Sequence, residues 1–315
     1  MRFGLIGLFL AFAASGAHAQ VAGAIDDPQA NVVEELVVSA KLPGPAWWRV
    51  SDADTTIYVL GTPAALPKGM AWDRSVLDRR LDGAFAVVTP SEWRAGLGDL
   101  PAMLKLRKSL KDDGAWTRRA PVLSARMQRA WAAADPKDPM GWKDWKPLFI
   151  ALRLSGKVDK SDQLQAMEPD KTIAAMARKH GIKARPVQVR KAMPMLKSLV
   201  REHSDEAGLT CLTETLDAVE PGPGPRRAAA QAWAEGRVKA ALSGPRGAER
   251  CQLLLPGVPE AMRQSVDDEV AALADLLKTP GHAVATFPIR GLVAEDGVLD
   301  KLRAKGIAVR TPADG

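Results

Sequence analysis

The chain has 315 residues, of which 46% are hydrophobic, a formal net charge of +7 and two cysteines. That length and apolar content suffice to bury a sizeable core, which excludes a disordered or fibrous chain. The charge is modest for this size, so it favours adhesion to acidic surfaces without marking a nucleic-acid binder.

The first predicted element is a targeting signal. Met1-Arg2-Phe3 leads an apolar run from Gly4 to Ala14. Ser15 and Gly16 break it, and Ala17-His18-Ala19 offers small residues at the two positions a signal peptidase reads. A short apolar core with an A-x-A exit predicts cleavage after Ala19, whereas a membrane span needs roughly 20 apolar residues. No later stretch is apolar enough to cross a bilayer, and no Cys follows the signal to carry a lipid. The expectation is an exported, periplasmic and soluble protein that loses residues 1–19. Export argues further against nucleic acid as a partner. In an oxidising compartment Cys211 and Cys251 read as one disulfide, with two buried thiols as the alternative. Closing that loop contributes about 4 kcal/mol in the chain-entropy model.

Residues 20–44 are poor in aromatics and carry Asp27-Pro28 and Pro43-Gly44-Pro45, which predicts a flexible leader. Within it, Val33–Ala40 resembles the short "EEVVVTA" segment at the start of many TonB-dependent receptors. It reads as an extended arm, with a strand-addition peptide for a partner as the alternative.

From residue 45 to residue 315 the pattern is globular. Trp47–Val50 and Thr56–Leu60 are β-rich runs around a turn cluster, Ser51–Asp54, and predict a hairpin. Gly61–Gly69 reads as a loop, Trp72–Leu81 as a short helix with Asp73 as a cap, and Ala84–Val88 as a buried strand. Residues 98–180 are mostly helical, punctuated by Pro101, Pro121 and the Asp135–Pro139 turn. Pro186–Val189 is a short strand, and further helices run to about Lys278. Ala283–Phe287 is an apolar strand, Val298–Lys305 a helix and Ile307–Arg310 the last strand. Strands at both ends with helices between them predict an α/β (α+β) domain, in which N- and C-terminal segments form one mixed central sheet around a large helical insert.

Common catalytic signatures are absent: G-x-G-x-x-G, a Walker loop, G-x-S-x-G, S-x-x-K and H-E-x-x-H do not occur. Beyond the signal the three histidines, His180, His203 and His282, are too scattered for two imidazoles on one helix face, so no metal and no cofactor is expected. His203, in Arg201–Glu206, reads as part of a charged helix end. Trp142 and Trp145 lie three apart on one predicted helix face and read as core.

Pro45–Asp52 followed by Thr56–Pro67 resembles the opening of the TraB/GumN family, "lWkvsdgdstlYllGTiHvLP", with Trp72 matching a tryptophan in the helix beyond. Ala283–Phe287, then Leu292–Leu299 and Leu302–Val309, are similar to the family's ending, "vaVGagHLxGedGllalLrarGyxV", and Ala232–Gly236 to its "AWxxGd" helix end. The resemblance covers about residues 45–311. It implies kinship with metal-dependent proteases and esterases, whose signature is two G-x-x-H motifs and a Glu after the second strand. Two imidazoles and a carboxylate at strand ends could hold a divalent metal and activate water.

All three positions depart from that signature. Ala64 stands where the first His is expected, Gly291 where the second is, and the Glu falls near Thr89 and Pro90, with Glu92 a poor substitute. An alanine and a glycine offer no side-chain donor to a metal. The expectation is therefore a TraB/GumN-like domain that has lost the metal site and acts by binding or as a scaffold, or as an envelope accessory, with an unknown ligand or envelope component as partner. The alternative is a hydrolase with a site rebuilt from Arg290, Glu92, Glu295 and Asp296. Arg290, Glu92, Glu295 and Trp72 are the candidate ligand contacts.

Overall fold

The computed structural model describes residues 25–166 and 168–314; the predicted signal at residues 1–19 lies outside them. Among the described residues no helix is long and apolar enough to cross a membrane.

The expected hairpin forms β1 (Trp47–Ser51) and β2 (Thr55–Thr62), paired antiparallel with Trp47 opposite Leu60. The stretch read as a loop contains a short strand, β3 (Ala65–Pro67), because Leu66 turns inward to 1% exposure. Helix α1 (Ser75–Leu81) begins later than expected. Trp72 is drawn into the core, and Asp73 accepts the Ser75 amide in a turn ahead of the helix rather than capping it. Then come β4 (Ala86–Thr89) and β5 (Glu92–Arg94). The helical insert opens with α2 (Leu100–Ser109), α3 (Ala115–Arg119), α4 (Pro121–Ala134) and α5 (Pro147–Ser161). Strand β6 (Leu164–Ala166) returns to pair with β3, and α6 (Glu168–Lys179) follows.

The predicted strand at Pro186–Val189 is in fact two. Strand β7 (Arg185–Pro186) joins the central sheet, and β8 (Val189–Lys191) pairs with β5 in a separate ribbon. Helices α7 (Ala192–Glu202), α8 (Asp205–Val219), α9 (Gly224–Ala234), α10 (Val238–Leu242), α11 (Gly247–Leu253) and α12 (Val258–Leu276) complete the insert. The chain closes with β9 (Gly281–Pro288), the short α13 (Ile289–Val293), α14 (Val298–Ala304) and β10 (Ala308–Arg310).

The central sheet has the order β10-β1-β2-β9-β4-β7, so it is mixed and joins both chain ends, as expected. Its heart is parallel: β2 runs beside β9, β9 beside β4, and β4 beside β7. Val59, Val87 and Ala283–Ala285 are fully buried, as strands covered on both faces require. One hydrophobic core surrounds this sheet. A second lies within the helices around Trp116, Trp131, Trp142 and Trp145, so the tryptophan pair is core, though it sits in the turn and bridge ahead of α5 rather than on a helix face. In that second core Cys211 of α8 and Cys251 of α11 stand at disulfide distance, with Cα atoms 4.3 Å apart.

The leader corrects one expectation. From Asp27 onward it is not a free arm but a strap along the C-terminal half of the domain. Val32 bridges Ala294, Ser39 bridges Arg237, and Leu36 and Val37 sink to 0% and 8% exposure. The Trp48 indole donates to the Leu36 carbonyl at 3.2 Å. The apolar positions that resembled a partner-binding peptide are satisfied within the chain.

Candidate functional site

Parallel strands deliver their carboxyl ends to one edge of a sheet, and loops leaving that edge are where α/β folds build sites. Here the neighbours β2, β9 and β4 end at Thr62, Pro288 and Thr89, with Thr62 in register with Pro288. The topology therefore brings together the three positions that diverge in sequence: Ala64 just beyond β2, Gly291 in α13 just beyond β9, and Thr89 at the tip of β4. Gly61 has to be small. A Cβ there would stand 2.8 Å from Ile289 and 3.0 Å from the Trp48 ring.

Ala64 and Arg290 line one cleft of about 370 Å³ at this edge, within the size range of small-molecule sites. Much of its wall is small and apolar: Ala65, Ala166, Ala230, Ala241 and Ile289. Its charges come from the helical insert and are mostly paired. Arg226 of α9 bonds Asp159 of α5 at 2.8 Å. Arg246 bonds Asp27 of the strap at 2.6 Å and Glu249 of α11 at 3.0 Å. Arg290 is the exception. Half-buried, it donates to the backbone carbonyls of Leu242 and Gln29 and makes no ion pair among the described residues. Burial first, then the nearby Arg246 charge, holds its pKa below the usual arginine value, against the opposing pull of the Glu249 and Asp27 carboxylates, which it does not bond. A cation fixed by carbonyls at the wall of an apolar cleft favours an anionic group.

The residues do not fit a metal. Ala64 has no donor atom. Gly291 is buried, and the strap's Gln29 side chain stands where a larger residue would go, 3.0 Å from a Cβ built there. Among the described residues no three His, Cys, Asp or Glu side chains come together as a ligand set. The three histidines are apart: His180 bonds Asp78 at 2.8 Å, His203 bonds the Leu199 carbonyl and His282 packs on Tyr58.

Of the four candidate contacts, the structure brings only Arg290 to the cleft. Trp72 is core at 8% exposure, edge-on to Trp233 at 5.3 Å, while the Trp233 indole donates to the Gly61 carbonyl at 2.7 Å. Trp72 thus supports the first motif from beneath. Glu92 is on the β5–β8 ribbon, bonded to Arg94 at 2.8 Å. Glu295 is exposed beyond α13, where its amide meets the Asn31 carbonyl, and Asp296 is exposed beside it. Asp159, Arg226, Arg246 and Glu249 had no motif to mark them, because they converge from three separate segments, α5, α9 and the start of α11. The Gly244-Pro245-Arg246-Gly247 turn before α11 was their only local signal.

Fold and site together define an α/β domain with a cleft at the carboxyl ends of its parallel strands, beside Ala64 and Arg290. The family model for the TraB/PrgY/gumN family matches residues 46–311, and the chain belongs to that family. The strap precedes the matched residues. Searches of curated proteins and of solved structures return no significant match.

Proposed function

We propose that this protein is an exported, non-catalytic member of its family that binds an acidic, amphipathic ligand in the carboxyl-end cleft. One observation carries the reading: where the family's second histidine motif would lie, a half-buried arginine without a carboxylate partner faces a cleft walled by small apolar residues. The ligand's acidic head would take the remaining donors of Arg290, and its apolar body would lie along Ala230, Ala241 and Ile289. The buried cysteine pair and the lack of a membrane-spanning helix among the described residues accord with an oxidising, extracytoplasmic setting.

Hydrolysis by a rebuilt site has less support, since neither Glu92 nor Glu295 lines the cleft with Arg290. The test is titration with a fluorescent fatty acid. The native protein is expected to bind it, and Arg290→Gln to weaken binding about tenfold, the worth of a charge-assisted hydrogen bond. Equal affinity in the two proteins would contradict the assignment.

A further inference from the structure

A second cleft, of about 590 Å³, opens at the other end of the sheet, where β2 and β9 begin. Four arginines line it, Arg49, Arg79, Arg80 and Arg310, and no carboxylate does. The register places three of its side chains on one face: Arg49 of β1 is opposite both Tyr58 of β2 and Arg310 of β10. Arg80, from the last turn of α1, lies across that face, 4.5 Å over the Trp47 ring and 4.4 Å over the Tyr58 ring.

None of the four arginines makes an ion pair among the described residues, whereas most other arginines that form side-chain contacts meet a carboxylate. Two acids feel these charges from outside the lining, Asp73 that of Arg79 and Asp314 that of Arg310, but Asp73 is bonded to Ser75 and Asp314 to the Thr311 amide and hydroxyl. The Arg80 Nη1 is buried without a hydrogen-bond partner among the described residues. Burial chiefly, then the charges of Arg79 and Arg49, lowers the Arg80 pKa to about 10. Like charges gathered without a counterion oppose folding, and a buried donor without an acceptor costs further stability. An anion would relieve both costs. Guanidinium forks match the oxygens of phosphate in pairs, and several of them favour a multiply charged group.

We propose that the cleft between Arg49, Arg80 and Arg310 binds a phosphate group, as a phosphomonoester or diphosphate, either free in solution or carried on a lipid headgroup. The site is separate from the carboxyl-end cleft and does not depend on its ligand.

Calorimetry of the full mature chain with inorganic pyrophosphate, and sedimentation with vesicles of phosphatidylcholine with or without phosphatidic acid, test it at constant ionic strength. At least one phosphate probe is expected to bind, and pyrophosphate binding alone marks a free phosphoester. Binding to phosphatidic acid vesicles but not to phosphatidylcholine marks a headgroup. In either case the pair Arg49→Gln and Arg310→Gln should weaken binding by tenfold or more while leaving the fatty acid affinity of the other cleft unchanged. Failure of the native protein to bind either probe overturns the proposal whether or not the variant folds. So does undiminished binding by a folded variant.

Discussion

Glu269 shows how one side chain can set a pH dependence. It lies on the inner face of α12 at 5% exposure, and burial, reinforced by the Asp268 charge, raises its pKa to about 8. A carboxyl raised in this way binds its proton more tightly folded than unfolded. Its contribution is complete below the unfolded value, near 4.5, and is lost as pH climbs towards 8. Glu269→Gln keeps the shape without the charge. The variant should melt above the native protein at pH 8, with the gap closing towards pH 4.5; thermal unfolding across that range checks it.

Asp27 has the opposite sign. Burial alone would raise its pKa, but the Arg246 hydrogen bond, the Gln29 amide and nearby arginine charge outweigh it and hold the carboxyl below its ordinary value. Its stabilisation is present above about pH 4 and is lost as pH falls through the lowered value. Asp27→Asn should cost about 1–3 kcal/mol at neutral pH, since it weakens a nearly buried ion pair. That cost should fade in urea titrations run below pH 4.

At the scale of elements, the strap and the cysteine pair decide how the cleft is walled. Asp27 and Gln29 hold Arg246 and Arg290 while Gln29 covers Gly291. Gln29→Ala should therefore admit ligand more readily and raise fatty acid affinity, which fluorescence titration reads; an unchanged affinity would show that the strap does not limit entry. Cys211 and Cys251 stand at disulfide distance between α8 and α11, and both helices line the cleft. Cys211→Ala should lower the melting temperature under oxidising conditions but not after reduction of the native protein. Thiol labelling of the unreduced, denatured native chain should find neither cysteine.

Much of this layout was legible in the sequence because apolar runs such as Thr56–Leu60 and Ala283–Phe287 have no good alternative to burial in a sheet. The pairing of β3 with β6 was not legible, since three-residue strands carry no periodicity and meet only through tertiary contacts. The strap was misread for a related reason. Its polar, proline-bearing composition suggested a free arm, while Leu36 and Val37 supplied enough apolar surface to dock it.

For the whole molecule, the departures at Ala64, Gly291 and Thr89 were visible one at a time along the chain, but only the adjacent ends of β2, β9 and β4 make them one site. The cleft's other walls come from helices separated by as much as a hundred residues, which is why no sequence pattern marked them. Secretion adds a test at this scale: mass measurement of protein from an exporting host should place the N-terminus at Gln20, and retention of Met1–Ala19 in the soluble fraction would contradict export. The most direct measurement is elemental analysis of the purified mature chain after equilibration with zinc, manganese and cobalt. An inherited site stripped of both imidazoles and the carboxylate should retain far less than one metal per chain, and no peptidase or esterase activity should follow the additions. One tightly held metal per chain, lost with activity when Glu92 or Glu295 is replaced, would contradict the account and show that the site had been rebuilt.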